Sequence, residues 1–210
     1  MKLNYYFLFI VIAIVYFLGI NVDIMDIDAA QYASMSREML DNKSFFELYD
    51  IKADYLDKPP LLMWLCSISM GIFGINNFAF KLPNIIFALL AIYFTYRFAK
   101  IYYKREVALL SALMLSLCQA LFLMTNDCRT DCILMSLVIF SCWQCAEWFQ
   151  NKNRKNIFLA FIGIGFGMLA KGPIALLVPV FAFGPYLLLK LDFKNIFQHT
   201  HCSHPRFLLG

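Results

Sequence analysis

Six apolar runs, each near the length of a bilayer crossing, constrain this chain more than any other feature. They cover Tyr5–Ile20, Phe80–Ala99, Val107–Met124, Cys132–Phe149, Ile157–Ala170 and Ile174–Leu189. A bilayer core of ~30 Å takes about 20 helical residues. The chain is 61% hydrophobic and only 15% charged, which excludes the soluble globular, disordered and nucleic-acid-binding classes. The first run follows Lys2 and has no small-residue cleavage site after it, so it reads as an anchor. Seven cysteines lie scattered through apolar stretches, without the spacing of a secreted disulfide framework. Cys142-Trp143-Gln144-Cys145 has the spacing of a redox motif, but it lies mid-span and reads as packing. The expected fold is all-α: a polytopic transmembrane helical bundle of about six spans.

Charge sets the expected sidedness. Between Asn21 and Lys58 nine acids face four bases, a net charge of −5. Lys and Arg concentrate instead at Arg97, Lys100, Lys104 and Arg105, and at Lys152, Arg154 and Lys155. The positive-inside rule places these basic loops in the cytoplasm and the acidic loop, residues 21–58, outside. A single crossing, Phe80–Ala99, then separates Lys58 from Lys100. The short apolar stretch 59–75 opens with Pro59-Pro60 and closes at Gly71 and Gly74, so it reads as an interfacial or re-entrant helix on the outer face. The same parity puts Thr125–Asp131 and Lys171 outside. Residues 1–190 form the membrane region, and 191–210 a short polar tail on a truncated chain.

The outer loop carries its own helix. Tyr32, Met35, Met39 and Leu40 fall at helical spacing within Ala29–Leu40. Asp28 stands where an N-cap belongs, and Pro59-Pro60 suits the first turn of a helix. Arg129 and Lys171 oppose the charge asymmetry just described, which makes them functional candidates. Carboxylates and cations from four segments thus share one membrane face. A carboxylate there can take the proton of an attacking hydroxyl, and cations can neutralise a departing phosphate.

The order of these residues resembles a known family. It runs Asp28-Ala29-Ala30-Gln31-Tyr32, Ser36-Arg37-Glu38-Met39-Leu40, Tyr55-Leu56-Asp57-Lys58-Pro59, Phe73-Gly74, Asn76-Asn77-Phe78 and Lys81-Leu82-Pro83. Arg129-Thr130-Asp131 and Lys171-Gly172-Pro173 follow. This is similar to the N-terminal half of the GT-C glycosyltransferases. Within them it resembles the branch of protein O-mannosyltransferases and the bacterial lipid A aminoarabinose transferase. The resemblance implies a polyprenyl-phosphate sugar donor, used at the periplasmic face of a bacterial inner membrane. The acceptor would be a hydroxyl on a glycolipid, polysaccharide or protein. Asp28 and Asp131 would be catalytic, Lys58, Lys171 and Arg129 would face the donor phosphate, and Asp57 would help hold a divalent metal. No organic cofactor and no nucleic acid partner is implied.

Ala29 and Gln31 depart from the aminoarabinose branch, which has an acid and an arginine just after its first-loop aspartate. That counts against lipid A and aminoarabinose as substrates. The rival reading is a transporter or a lipid-binding membrane scaffold. Its charges would line a path at mid-span, whereas here they gather at one face, apart from Glu147 near an inner end.

Overall fold

The computed structural model describes residues 4–24, 26–45, 49–50, 53–55 and 57–189. These residues are almost entirely helical. A first helix, α1 (Tyr5–Leu18), ends in a 3-10 turn (Gly19–Asn21) and leads to α2 (Ile27–Asn42). Two two-residue strands, β1 (Tyr49–Asp50) and β2 (Ala53–Asp54), pair antiparallel after α2. Then come α3 (Leu61–Phe73), α4 (Asn77–Tyr102), α5 (Arg105–Ser116), α6 (Gln119–Asn126), α7 (Thr130–Asn151), α8 (Arg154–Lys171) and α9 (Ile174–Leu189). The tail expected at 191–210 lies outside the described residues.

Among the described residues, α4 and α7 are by length and composition the two continuous helices that can cross a membrane, and α5 with α6 makes a third if the pair is one span. The expected six spans are therefore met only in part. The stretch expected as one span over Val107–Met124 is broken, and its halves meet at a 51° bend. Cys118 turns to extended backbone (ψ 117°), and the Ser116 carbonyl accepts the Tyr16 hydroxyl of α1 at 3.3 Å instead. Tyr16 is buried and meets Phe122 edge-on at 5.4 Å, so α1 holds the bend from the side. At 13 residues, α3 is about 20 Å long, too short to cross a ~30 Å core.

Asn76 fixes the corner between α3 and α4. Its side-chain oxygen accepts the Ala79 N–H at 2.8 Å and its amide donates to the Phe73 carbonyl at 3.0 Å. Gly74 turns the chain there at φ +80°, a region that disfavours other residues. On the far side of the bundle α8 packs close against α7. A Cβ at Gly163 would meet Phe140 Cδ1 at 2.8 Å.

Candidate functional site

The site is built from the start of α2, the approach to α3, the turn between α6 and α7, and the end of α8. The first correction concerns Asp28. The helix begins one residue before it, with extended Asp26 at the N-cap position and no side-chain cap bond. Asp28 lies in the first turn, and its carboxylate is directed at Lys58 rather than at a backbone N–H. Lys58 Nζ donates to Asp28 Oδ2 at 3.3 Å and to the Tyr32 hydroxyl. Asp28 and Tyr32 are one helical turn apart on the same face, so they grip the ammonium as a fork. The Tyr32 ring also lies 4.9 Å from Lys58 Nζ.

Electrostatics follow from this fork. The Tyr32 oxygen, then the Asp28 carboxylate, push the Lys58 ammonium above the ordinary lysine range despite its partial burial. Burial raises the Tyr32 phenol against the pull of Lys58. The phenol therefore stays neutral and accepts from a charged ammonium.

The other two candidate cations are paired as well. Arg129 Nη2 is 2.7 Å from Asp26 Oδ2, and Lys171 Nζ pairs with Asp131 at the start of α7. Arg129 is set by its turn. Its N–H donates to the Met124 carbonyl at 3.0 Å. Buried Asn84 of α4 donates to the carbonyls of Arg129 at 3.0 Å and Met124 at 3.4 Å. Cys128, in the left-handed region at φ 52°, makes the tight reversal between the two helices.

All three pairs stand on one apolar cluster. Tyr32, Met35 and Met39 of α2 pack there with Leu62, Met63 and Cys66 of α3, Phe80 of α4, Cys128, and Ala170 beside Lys171. The Arg129 charge is felt at the Tyr32 phenol, which ties the Arg129–Asp26 pair to the Lys58 fork. Five of the six expected residues (Asp28, Lys58, Arg129, Asp131 and Lys171) thus fall into three ion pairs, each with a sequence neighbour in this one apolar cluster. The sixth, Asp57, stands apart, exposed, with the Tyr55 hydroxyl donating to it at 3.5 Å. Among the described residues no three His, Cys, Asp or Glu side chains converge as metal ligands.

Sequence reasoning missed three contributors. Tyr32 reads as a core residue, although its place four residues after Asp28 signals a shared face. Asp26, at the N-cap position of α2, is the partner of Arg129. Lys81, fully buried in α4, donates to the Val22 carbonyl and pins the end of the 3-10 turn.

Residues 57–205 match the family described as dolichyl-phosphate-mannose-protein mannosyltransferase. Among curated proteins, the undecaprenyl phosphate-alpha-4-amino-4-deoxy-L-arabinose arabinosyl transferase of Wigglesworthia glossinidia brevipalpis is 30% identical over 91% of this chain and 35% of its own length. Its namesake in Erwinia tasmaniensis is 28% identical over 80% of this chain and 32% of its own length. The chain spans about a third of the length of these relatives. The crystal structure of ArnT from Cupriavidus metallidurans bound to undecaprenyl phosphate superposes with a TM-score of 0.84 at 19% identity, over 93% of this chain and 38% of that one. The membrane-helical fold is therefore that of the matching part of ArnT. The family match covers well over half of the residues, and the chain belongs to the dolichyl-phosphate-mannose-protein mannosyltransferase family.

Proposed function

We propose that the protein is an integral membrane glycosyltransferase. It moves a sugar from a polyprenyl-phosphate donor to an acceptor hydroxyl on a glycolipid, polysaccharide or protein. The reaction takes place at the periplasmic face of a bacterial inner membrane. The observation that supports this reading is the set of three acid–cation pairs, drawn from four separate segments, whose sequence neighbours pack in one apolar cluster. The names of the relatives, and the lipid phosphate bound to a neighbour of the same fold, support the donor class.

Each pair combines a group for phosphate with a group for a proton. The donor phosphate takes a share of the Lys58 ammonium, and with it of Lys171 and Arg129. Charge-assisted bonds of this kind are strong where water is partly excluded. Drawing Lys58 toward phosphate leaves an Asp28 lone pair open to the acceptor hydroxyl. That hydroxyl oxygen attacks the anomeric carbon, its proton passes to Asp28, and the bond from that carbon to the phosphate oxygen breaks. The polyprenyl phosphate leaves as an anion, stabilised by the cations. Asp131, beside Lys171, is the second carboxylate that can fill the proton-accepting role. Phosphate is a good leaving group, so no strong general acid is needed. The sugar is not assigned: Ala29 and Gln31 set this chain apart from the aminoarabinose branch.

The test is transfer of radiolabelled sugar from synthetic polyprenyl-phosphate donors to membrane acceptors, using the protein in proteoliposomes. Wild-type protein should transfer label, and a Lys58→Ala, Lys171→Ala double variant should not. Unchanged transfer in the double variant would remove Lys58 and Lys171 from the site, and donor movement across the bilayer without transfer in wild type would favour a transporter.

A further inference from the structure

The thiols of Cys66 and Cys128 stand 3.8 Å apart. They come from separate elements, Cys66 from the middle of α3 and Cys128 from the turn between α6 and α7. Both are completely buried. Both also donate to the Phe80 carbonyl, at 3.3 Å and 3.4 Å, so their sulfurs converge on one point of α4. Cys128 holds a left-handed backbone at φ 52°, where glycine or asparagine would sit at less cost. Its side chain is buried all the same, against Cys66.

We propose that Cys66 and Cys128 form a disulfide that staples α3 to the α6–α7 turn. Two S–H bonds are lost and one S–S bond is made. The two protons and two electrons pass to an oxidant of the disulfide class, which leaves as a dithiol. One cysteine thiolate opens the oxidant's S–S bond, and the other displaces it from the mixed disulfide. A bonded pair needs about 2.0 Å between sulfurs, so the two, now 3.8 Å apart, must close further. Burial raises the Cys128 thiol and keeps it protonated in the folded chain, and exchange requires the thiolate. The bond therefore forms as the chain folds, before α3 and the turn close over it. Once formed, it is shielded from reductants.

The placement gives the staple a purpose. Lys58 lies just ahead of α3, while Arg129 and Asp131 directly follow Cys128. A bond between the two elements holds the Asp28–Lys58 and Arg129–Asp26 pairs in register. The proposal rests on the periplasmic reading of this face, because disulfides persist in oxidising compartments.

Membranes are quenched with N-ethylmaleimide, denatured and digested without reductant, and the peptides are read by mass spectrometry. The expected result is a linked Cys66–Cys128 peptide pair, with adducts at both positions only after reduction. Adducts at both without reduction would overturn the staple. A single reporter cysteine at Asn77 in a cysteine-free chain separates this from failure of the sidedness. If it labels from outside while both thiols are free, the staple alone falls. If it labels only from the cytoplasm, the oxidising compartment goes and the staple with it. Wild-type protein made and purified under reductant throughout, so that the bond never forms, should also melt on the order of 10 °C lower than the oxidised protein, while a Cys66→Ser, Cys128→Ser variant should melt alike from both preparations. Equal shifts in both proteins would count against the bond.

Discussion

Lys58 Nζ lies 3.3 Å from Asp28 Oδ2 and against the Tyr32 hydroxyl, so one ammonium joins the approach to α3 to the first turn of α2. This contact makes Lys58 the hub of the site. If its charge meets the donor phosphate, Lys58→Ala should raise the KM for a short-chain polyprenyl-phosphate sugar by roughly 10–100-fold, the scale of one hydrogen bond to a charged group. Lys155→Ala, exposed on the α8 end remote from Lys171, should leave KM unchanged. Steady-state kinetics in detergent would compare the two.

The Tyr32 fork has a pH signature. The folded-state pKa of Lys58 is raised, chiefly by the Tyr32 oxygen and then by Asp28. A raised cation pKa contributes stability that is complete below the ordinary lysine value of 10.5. That stability is lost as pH rises through the higher folded value. Donor binding should therefore be flat through neutral pH and weaken only in strong alkali. In Tyr32→Phe the alkaline limb should move to lower pH. Binding of a fluorescent polyprenyl phosphate across pH 7–11 would show whether the limb moves.

The Lys171–Asp131 pair should matter to chemistry more than to folding. Both side chains are over a third exposed or close to it, at 40% and 33%, so solvent screens the attraction. Lys171→Met should change unfolding stability by under about 1 kcal/mol. Sugar transfer should nevertheless fall at least ~10-fold, since the lost charge faces the phosphate. Thermal unfolding and transfer assays on the same preparation distinguish the two effects.

Much of this architecture is legible in the sequence, and the residues explain where legibility ends. The apolar runs announce a membrane protein, and the cations Arg129 and Lys171, each paired with an acid, are the charges that oppose its sequence asymmetry. Tyr32, Met35 and Met39 announce the buried face of α2. The bend at Leu117–Cys118 is not legible, because the Tyr16 hydroxyl, a hundred residues away in the chain, donates to the Ser116 carbonyl at the end of α5. Asp28 reads as a cap because capping is a local property. Its real partner, Lys58, is thirty residues distant. The pairing of Arg129 with Asp26 is hidden for the same reason: the turn that aims Arg129 is fixed by Asn84, from a third helix.

Helix packing makes a prediction independent of the site. Gly163 lets α8 approach α7, and a Cβ there would come within 2.8 Å of Phe140 Cδ1. Gly163→Val should destabilise the protein by about 1–3 kcal/mol through overpacking. Gly165→Val, where a Cβ meets nothing within 4 Å, should have little effect. A thermal melt of each variant in the same detergent measures the difference.

The central claim is that Asp28 accepts the proton of the attacking hydroxyl. Asp28→Asn keeps the side chain's shape and an oxygen that can still accept from Lys58, but an amide is not a useful base. Asp26→Asn is the comparison, expected to loosen Arg129 and cost less. The decisive measurement is the single-turnover rate of sugar transfer from a polyprenyl-phosphate donor by Asp28→Asn protein in proteoliposomes. The account predicts a rate lowered by roughly 10²–10⁴-fold, with the thermal melt preserved. Transfer at the wild-type rate would contradict it and move the base to Asp131.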